Sequence, residues 1–142
     1  YSLKRQIYNP SKVYCVDVAL AGAVSFRFSR NIGHLYENMV FLALKRRGGD
    51  VFYWKSARGR EVDFVVKEGL RITEAIQVCA SLEDPKTRQR EFRSLNEAAE
   101  ALDAGRLTMI TGDEEGVEKT DRGDIAIVPL WKWLLRNGTQ GG

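Results

Sequence analysis

Glu61-Val62-Asp63-Phe64-Val65-Val66 and, after a short turn holding Gly69, Ile72-Thr73-Glu74-Ala75-Ile76-Gln77-Val78-Cys79 are the stretch on which the reading of this chain turns. Apolar runs of this length bounded by turn residues predict two neighbouring strands. Period-two alternation then sets Glu61, Asp63 and Val65 on one face of the first, and Thr73, Ala75, Gln77 and Cys79 on one face of the second. A carboxylate and an amide are thereby expected to converge between adjacent strands. A carboxylate on a mostly apolar strand needs a partner, because an unpaired buried charge is expensive. An ion pair, a hydrogen-bond network or a metal ion would each supply one.

Working outward, Ile32, Leu35, Met39 and Leu42 recur at helical spacing between Asn31 and Arg47, with Tyr36, Val40 and Ala43 widening the stripe. Gly48-Gly49 stops this helix after Lys45, Arg46 and Arg47, cations that suit the negative end of the helix dipole. A short strand at Val51–Trp54 and a turn through Ala57-Arg58-Gly59-Arg60 lead into the two strands above. Upstream, residues 1–10 read as an irregular lead-in and Val13–Ala21 as a buried strand. Downstream, Asp84-Pro85 is a good helix start, Asp capping and Pro opening the first turn. Phe92, Leu95, Ala98 and Leu102 give that helix its apolar face to about Ala104, and Gly105 ends it. Arg106–Thr111 is a strand, Gly112–Asp124 an acidic Gly-rich loop, and Ile125–Val128 a last strand before the Trp-rich amphipathic Leu130–Leu135. The order helix, three strands in tight succession, helix, strand implies an α/β or α+β sandwich with a mixed sheet. Periodicity does not choose among the topologies that satisfy it.

At 142 residues the chain suits one domain, and a net charge of +3 permits a nucleic-acid partner without arguing for one. Cys15 and Cys79 stand alone in apolar contexts beside a single histidine, so neither a disulfide framework nor a zinc site is indicated. A reducing, cytoplasmic setting is expected. No apolar run approaches the ~20 residues of a membrane span. The chain opens on Tyr1 rather than Met, which we read as a piece of a longer protein.

With the elements in order, the polar residues inside them form a recognisable set. Glu37 on the first helix, Asp63 on the second strand after it and Gln77-Val78-Cys79 on the third resemble the PD-(D/E)XK nuclease arrangement. There, a helix glutamate, a strand aspartate and an acid-x-lysine strand converge on magnesium. More narrowly, Gly33-His34-Leu35-Tyr36-Glu37-Asn38, Tyr53-Trp54-Lys55, Glu61-Val62-Asp63-Phe64-Val65, Ile76-Gln77-Val78-Cys79 and Pro129-Leu130-Trp131-Lys132-Trp133-Leu134-Leu135 are similar to the C-terminal nuclease-like domain of uncharacterised prokaryotic, mainly archaeal, AAA+ ATPases. The similarity runs from about Tyr8 to Leu135.

The resemblance implies a restriction-endonuclease-like three-layer sandwich over residues 11–136, with 1–10 leading in from a missing region and 137–142 a flexible tail. It implies magnesium or manganese held by Glu37, Asp63 and Gln77, with catalytic positions at Glu37, Asp63, Gln77 and Cys79, and DNA as a partner beside the ATPase and other domains of the parent chain. ATP would belong to the missing ATPase domain, since no Gly-x-x-x-x-Gly-Lys-Ser/Thr loop occurs here. Hard cations held by oxygen ligands activate water and neutralise phosphate charge, which is why such chemistry uses carboxylates. Gln77 stands where an acid is expected and Cys79 where a lysine is expected, so weak metal binding and weak or no cleavage follow. A thiol of pKa about 8.5 supplies no fixed positive charge at pH 7.

Each residue also has a structural reading. Asp63 would pair with Arg60 or Lys67, Glu37 would be a solvated helix charge, His34 a surface residue, and Cys79 a small packed hydrophobe. Lys86, Arg88, Arg90 and Arg93 form a phosphate-binding face or the ordinary charged side of a surface helix. Arg58 and Arg60, in the turn beside the expected site, are better placed to meet a nucleic-acid strand. The functional alternative to a nuclease is an inactive interaction or assembly module of the ATPase.

Overall fold

The structure, a computed structural model, describes residues 7–8 and 32–138. Its strands are β1 (Ile7–Tyr8), β2 (Asp50–Lys55), β3 (Glu61–Glu68), β4 (Arg71–Val78), β5 (Arg106–Thr111), β6 (Gly116–Thr120) and β7 (Gly123–Pro129). Its helices are α1 (Ile32–Arg47), α2 (Pro85–Leu102) and α3 (Leu130–Gly138). All the strands join one sheet in the order β1-β2-β3-β4-β5-β7-β6. From β1 to β4 neighbours are antiparallel, β4, β5 and β7 run parallel, and β6 returns antiparallel on the edge beside β7. The mixed α/β architecture expected from element order is therefore what the chain adopts.

Two apolar clusters explain why helices cover both faces. On one side Phe92, Leu95, Ala98 and Leu102 of α2 pack on Val65, Ala75 and Met109. On the other, Val40, Ala43 and Leu44 of α1 and Leu130 and Trp133 of α3 pack on Phe64, Val66, Ile76 and Ile110. The central strands are thus buried on both faces, which is why they read as continuous apolar runs. Asp84 caps α2 as expected: its carboxylate accepts hydrogen bonds from the Lys86 N–H at 3.4 Å and the Thr87 hydroxyl at 2.9 Å. Those bonds, the Thr87 hydroxyl first, hold its pKa below the ordinary value.

Several expectations need correction. The lead-in is not wholly irregular, because Ile7–Tyr8 pairs with Trp54 and Tyr53. The acidic segment 112–124 contains β6, whose polar side chains suit an edge strand with little to bury. Helix α2 ends at Leu102, with Asp103 as its left-handed cap, before Gly105 is reached. Asn137, assigned to a flexible tail, belongs to α3. Its amide accepts a hydrogen bond from Arg47 Nη1 at 3.0 Å and donates one to the Trp133 carbonyl at 2.8 Å. Trp131 and Leu135 are 60% and 63% exposed, so only part of the Trp-rich ending packs inward. The strand expected at Val13–Ala21 lies outside the described residues.

Strict alternation also fails at the decisive point. Phe52 pairs with Val65 and Trp54 with Val62, so Asp63 and Phe64 together oppose Tyr53. This is a β-bulge, one extra residue on β3, and it sends Val62 and Val65 into the same cluster. Asp63 sits on the bulge and so leaves the alternation that would have grouped it with Val65.

Candidate functional site

The bulge at Asp63 coincides with the place where β3 and β4 stop pairing. The ladder reaches Phe64 and Ile76; beyond it, side chains take over from backbone. The Val78 N–H donates to Asp63 Oδ2 at 2.8 Å, and the Asp63 N–H donates to Gln77 Oε1 at 2.9 Å. Gln77 Nε2 donates in turn to the Glu61 carbonyl at 3.2 Å and to Glu91 Oε2 at 2.5 Å. Asp63 and Gln77 bridge two diverging strands, and a cavity of about 520 Å³ opens between the strand ends and the starts of the helices.

Glu37 from α1, Asp63, Gln77 and Glu91 from α2 all line this cavity, and Arg58, Arg60 and Arg90 line it too. The convergence of Glu37, Asp63 and Gln77 expected from sequence is therefore present. The turn carrying the first two arginines is fixed locally. Ser56 Oγ accepts the N–H groups of Arg58 and Arg60 at 3.2 and 3.1 Å, and Gly59 takes φ of 85°, a conformation that favours glycine. Arg60 is tied to Glu97 at 2.6 Å, and Lys55 lies 3.7 Å from Glu61. His34 sits 3.9 Å from Glu37 on the exposed side of α1.

Two candidate residues are engaged in contacts of their own. Gln77 is only 5% exposed and its amide is engaged at both ends in holding the strands, so its first role is structural. Cys79 lies just past the end of β4 and outside the cavity lining. It packs against the α2-side cluster and donates its thiol hydrogen to the Ser81 carbonyl at 3.1 Å. Burial, aided by the charge of Glu91, pushes the thiol up to about 11. It is held as a neutral, partly buried thiol.

The residue sequence reasoning missed is Glu91. Burial, reinforced by the charge of Asp63 and opposed by hydrogen bonds from Gln77 and Arg90, raises its pKa above the ordinary carboxylate value. A signal was available. Glu91 precedes Leu95, Ala98 and Leu102 on the same helical stripe, where a carboxylate is out of place. By contrast Glu74, 3% exposed, is a structural carboxylate held by Arg47, Arg106 and the Thr108 hydroxyl.

Among the described residues no three His, Cys, Asp or Glu side chains are grouped so as to hold a metal ion unaided. The donors suit an ion that keeps several waters and takes one or two carboxylates plus phosphate oxygens, the habit of magnesium. Asp63 with Glu37 or Glu91 would hold it, and the Val78 N–H on Asp63 is the kind of outer bond that orients a ligating carboxylate.

No helix among the described residues is long and apolar enough to cross a membrane. No solved structure matches the chain. It is similar to the uncharacterized protein MJ1544 of Methanocaldococcus jannaschii, 37% identical over 145 residues covering 95% of this chain and 32% of that protein. The chain thus spans about a third of the length of that relative. Residues 32–133, which run from the start of α1 to Trp133 of α3, match one family throughout, and the chain belongs to that family, described as Domain of unknown function (DUF4143).

Proposed function

We propose that this chain is a nuclease-like domain of the PD-(D/E)XK kind, restriction-endonuclease-like in fold, that binds DNA at the Asp63 cavity and cleaves it weakly or not at all. We place it as the C-terminal domain of an AAA+ ATPase. The observation that carries the reading is one cavity in which Glu37, Asp63 and Glu91 meet Arg58, Arg60 and Arg90. Carboxylates there suit a hard cation and guanidinium groups suit phosphate oxygens. The helix, three strands, helix and parallel strand from α1 to β5 are the order that the resemblance requires. About two thirds of the Methanocaldococcus jannaschii relative lies outside the match, room in which an ATPase domain would fit.

A bound magnesium or manganese ion would acidify its water and neutralise charge on the phosphate. The chain's own part is to hold the ion through Asp63 and an acid from α1 or α2, and to bind phosphate through the arginines. What it lacks is a fixed cation at position 79, where the thiol stays neutral. Loss of one such preorganised group typically costs ~10²–10³ in rate.

Titrating manganese calorimetrically into the chain and into Asp63→Ala tests the reading. Saturable binding in the wild type that vanishes in the variant is expected; flat titrations of both would refute it. A second reading, an assembly module without cleavage, is favoured by Trp131 and Leu135, which stand one helical turn apart on the exposed side of α3. Strand cleavage in manganese that Asp63→Ala abolishes would speak against it.

A further inference from the structure

Beside the acidic cavity lies a larger one of about 820 Å³, bounded by the β2–β3 turn, the middle of α2 and the β6–β7 hairpin. Arg58 and Arg60 line both, so the two form one continuous depression. The charges within it are unevenly matched. Of the lining acids, Glu97 is taken by Arg60 at 2.6 Å, Glu100 by Arg122 at 2.7 Å and Glu118 by Arg88 at 2.9 Å, which leaves Asp121 as the one with no ion pair among the described residues. Arg58, Arg93 and Lys119 line the cavity with no ion pair to an acid among the described residues. Along α2, Arg90 faces the acidic cavity and Arg93, one turn on, faces the larger one.

We propose that this groove between α2 and the β6–β7 hairpin binds the phosphodiester backbone of a nucleic-acid strand and delivers it to the Asp63 cavity, with Arg58, Arg93 and Lys119 as the phosphate contacts. The proposal rests on the reading of the acidic cavity as a phosphodiester site. One observation favours a nucleic acid over a simple polyanion: the unmatched cations are spread from the β2–β3 turn to the hairpin rather than gathered on one point, as a strand requires. Their hairpin member, Lys119, is on β6, the strand hidden within the acidic segment of the sequence.

The test is fluorescence anisotropy with a labelled 20-nucleotide single strand and the matching duplex, read over a range of salt without metal. Each phosphate contact contributes about 0.7 for a single strand, or about 0.9 for duplex, to the slope of log affinity against log salt. Arg93→Ala with Lys119→Ala should therefore lower the magnitude of the slope by about 1.4 on a single strand or about 1.8 on duplex. Both residues are exposed, so the fold should be unaffected. Lys45→Ala, an exposed α1 cation outside both cavities, should leave the slope unchanged. An unaltered slope in the double variant, or no binding by the wild type, would overturn the proposal. Manganese binding is measured separately: its absence beside groove-dependent strand binding would remove the metal-site reading and leave the groove standing.

Discussion

Glu91 is where local pattern and tertiary setting disagree most. The carboxylate lies in phase with the apolar stripe of α2 and ends in a polar cavity, beside Gln77 and close enough to Asp63 to feel its charge. A raised native pKa means that the folded chain holds this proton to higher pH than the unfolded chain does. The associated stability is therefore complete below the ordinary value of 4.5 and is lost as pH rises through the raised native value. Glu91→Gln removes the titration and keeps an oxygen for the Gln77 amide. Thermal melts should coincide at low pH, and the variant should melt higher once the pH exceeds the native value. Two curves that stay parallel across the range would exclude this linkage. Gly112 shows the same dependence on setting: a Cβ there would meet the Ala80 carbonyl oxygen at 2.9 Å, a restriction visible only once β4 and β5 lie side by side.

Among the elements, helix ends separate what is legible from what is not. The start of α2 was readable because Asp84 and Pro85 act through bonds within a few residues. Its end was misplaced by the obvious signal, Gly105. The chain leaves the helix at Asp103 with φ of 51°, and the Asp103 N–H donates to the Ala99 carbonyl at 3.0 Å. A left-handed conformation costs an L-residue about 1–2 kcal/mol, less for Asp than for most. Asp103→Gly should then stabilise the fold by about 0.5–1 kcal/mol, seen as a higher urea midpoint at constant slope. An unchanged or lower midpoint would show that the cap is not under strain. Strand β6 escaped notice for a different reason: it alternates without an apolar face, because it lies on the edge.

At the scale of the whole molecule, the described residues place two cores on one sheet, and the question is whether they unfold together. Trp54 lies in the α2-side cluster and Trp133 in the other, so fluorescence samples both. Val65 and Phe64, adjacent on β3, point into different cores, which leaves neither face able to melt without the strand they share. Single domains below 150 residues usually unfold in one step. Circular dichroism and fluorescence should therefore give coincident urea transitions. Phe92→Ala and Trp133→Ala should each shift that single transition, by about 3–5 kcal/mol. Separate midpoints for the two probes would mean two independent cores.

What the sequence determined by itself was local: apolar period gave α1, β3, β4, β5 and α2, and the resemblance named Glu37, Asp63 and Gln77 on those elements as one candidate site. Hydrophobic periodicity and capping act over a few residues, so one chain carries them openly. Tertiary structure alone decided the rest. The bulge that turns Asp63 out of alternation exists only because β2 and β3 pair out of step, and the side-chain bridges of Asp63 and Gln77 exist only because β3 and β4 diverge. The exclusion of Cys79, the entry of Glu91 and the groove shared by α2 with β6 are likewise facts of packing, which brings together groups that sequence distance keeps apart.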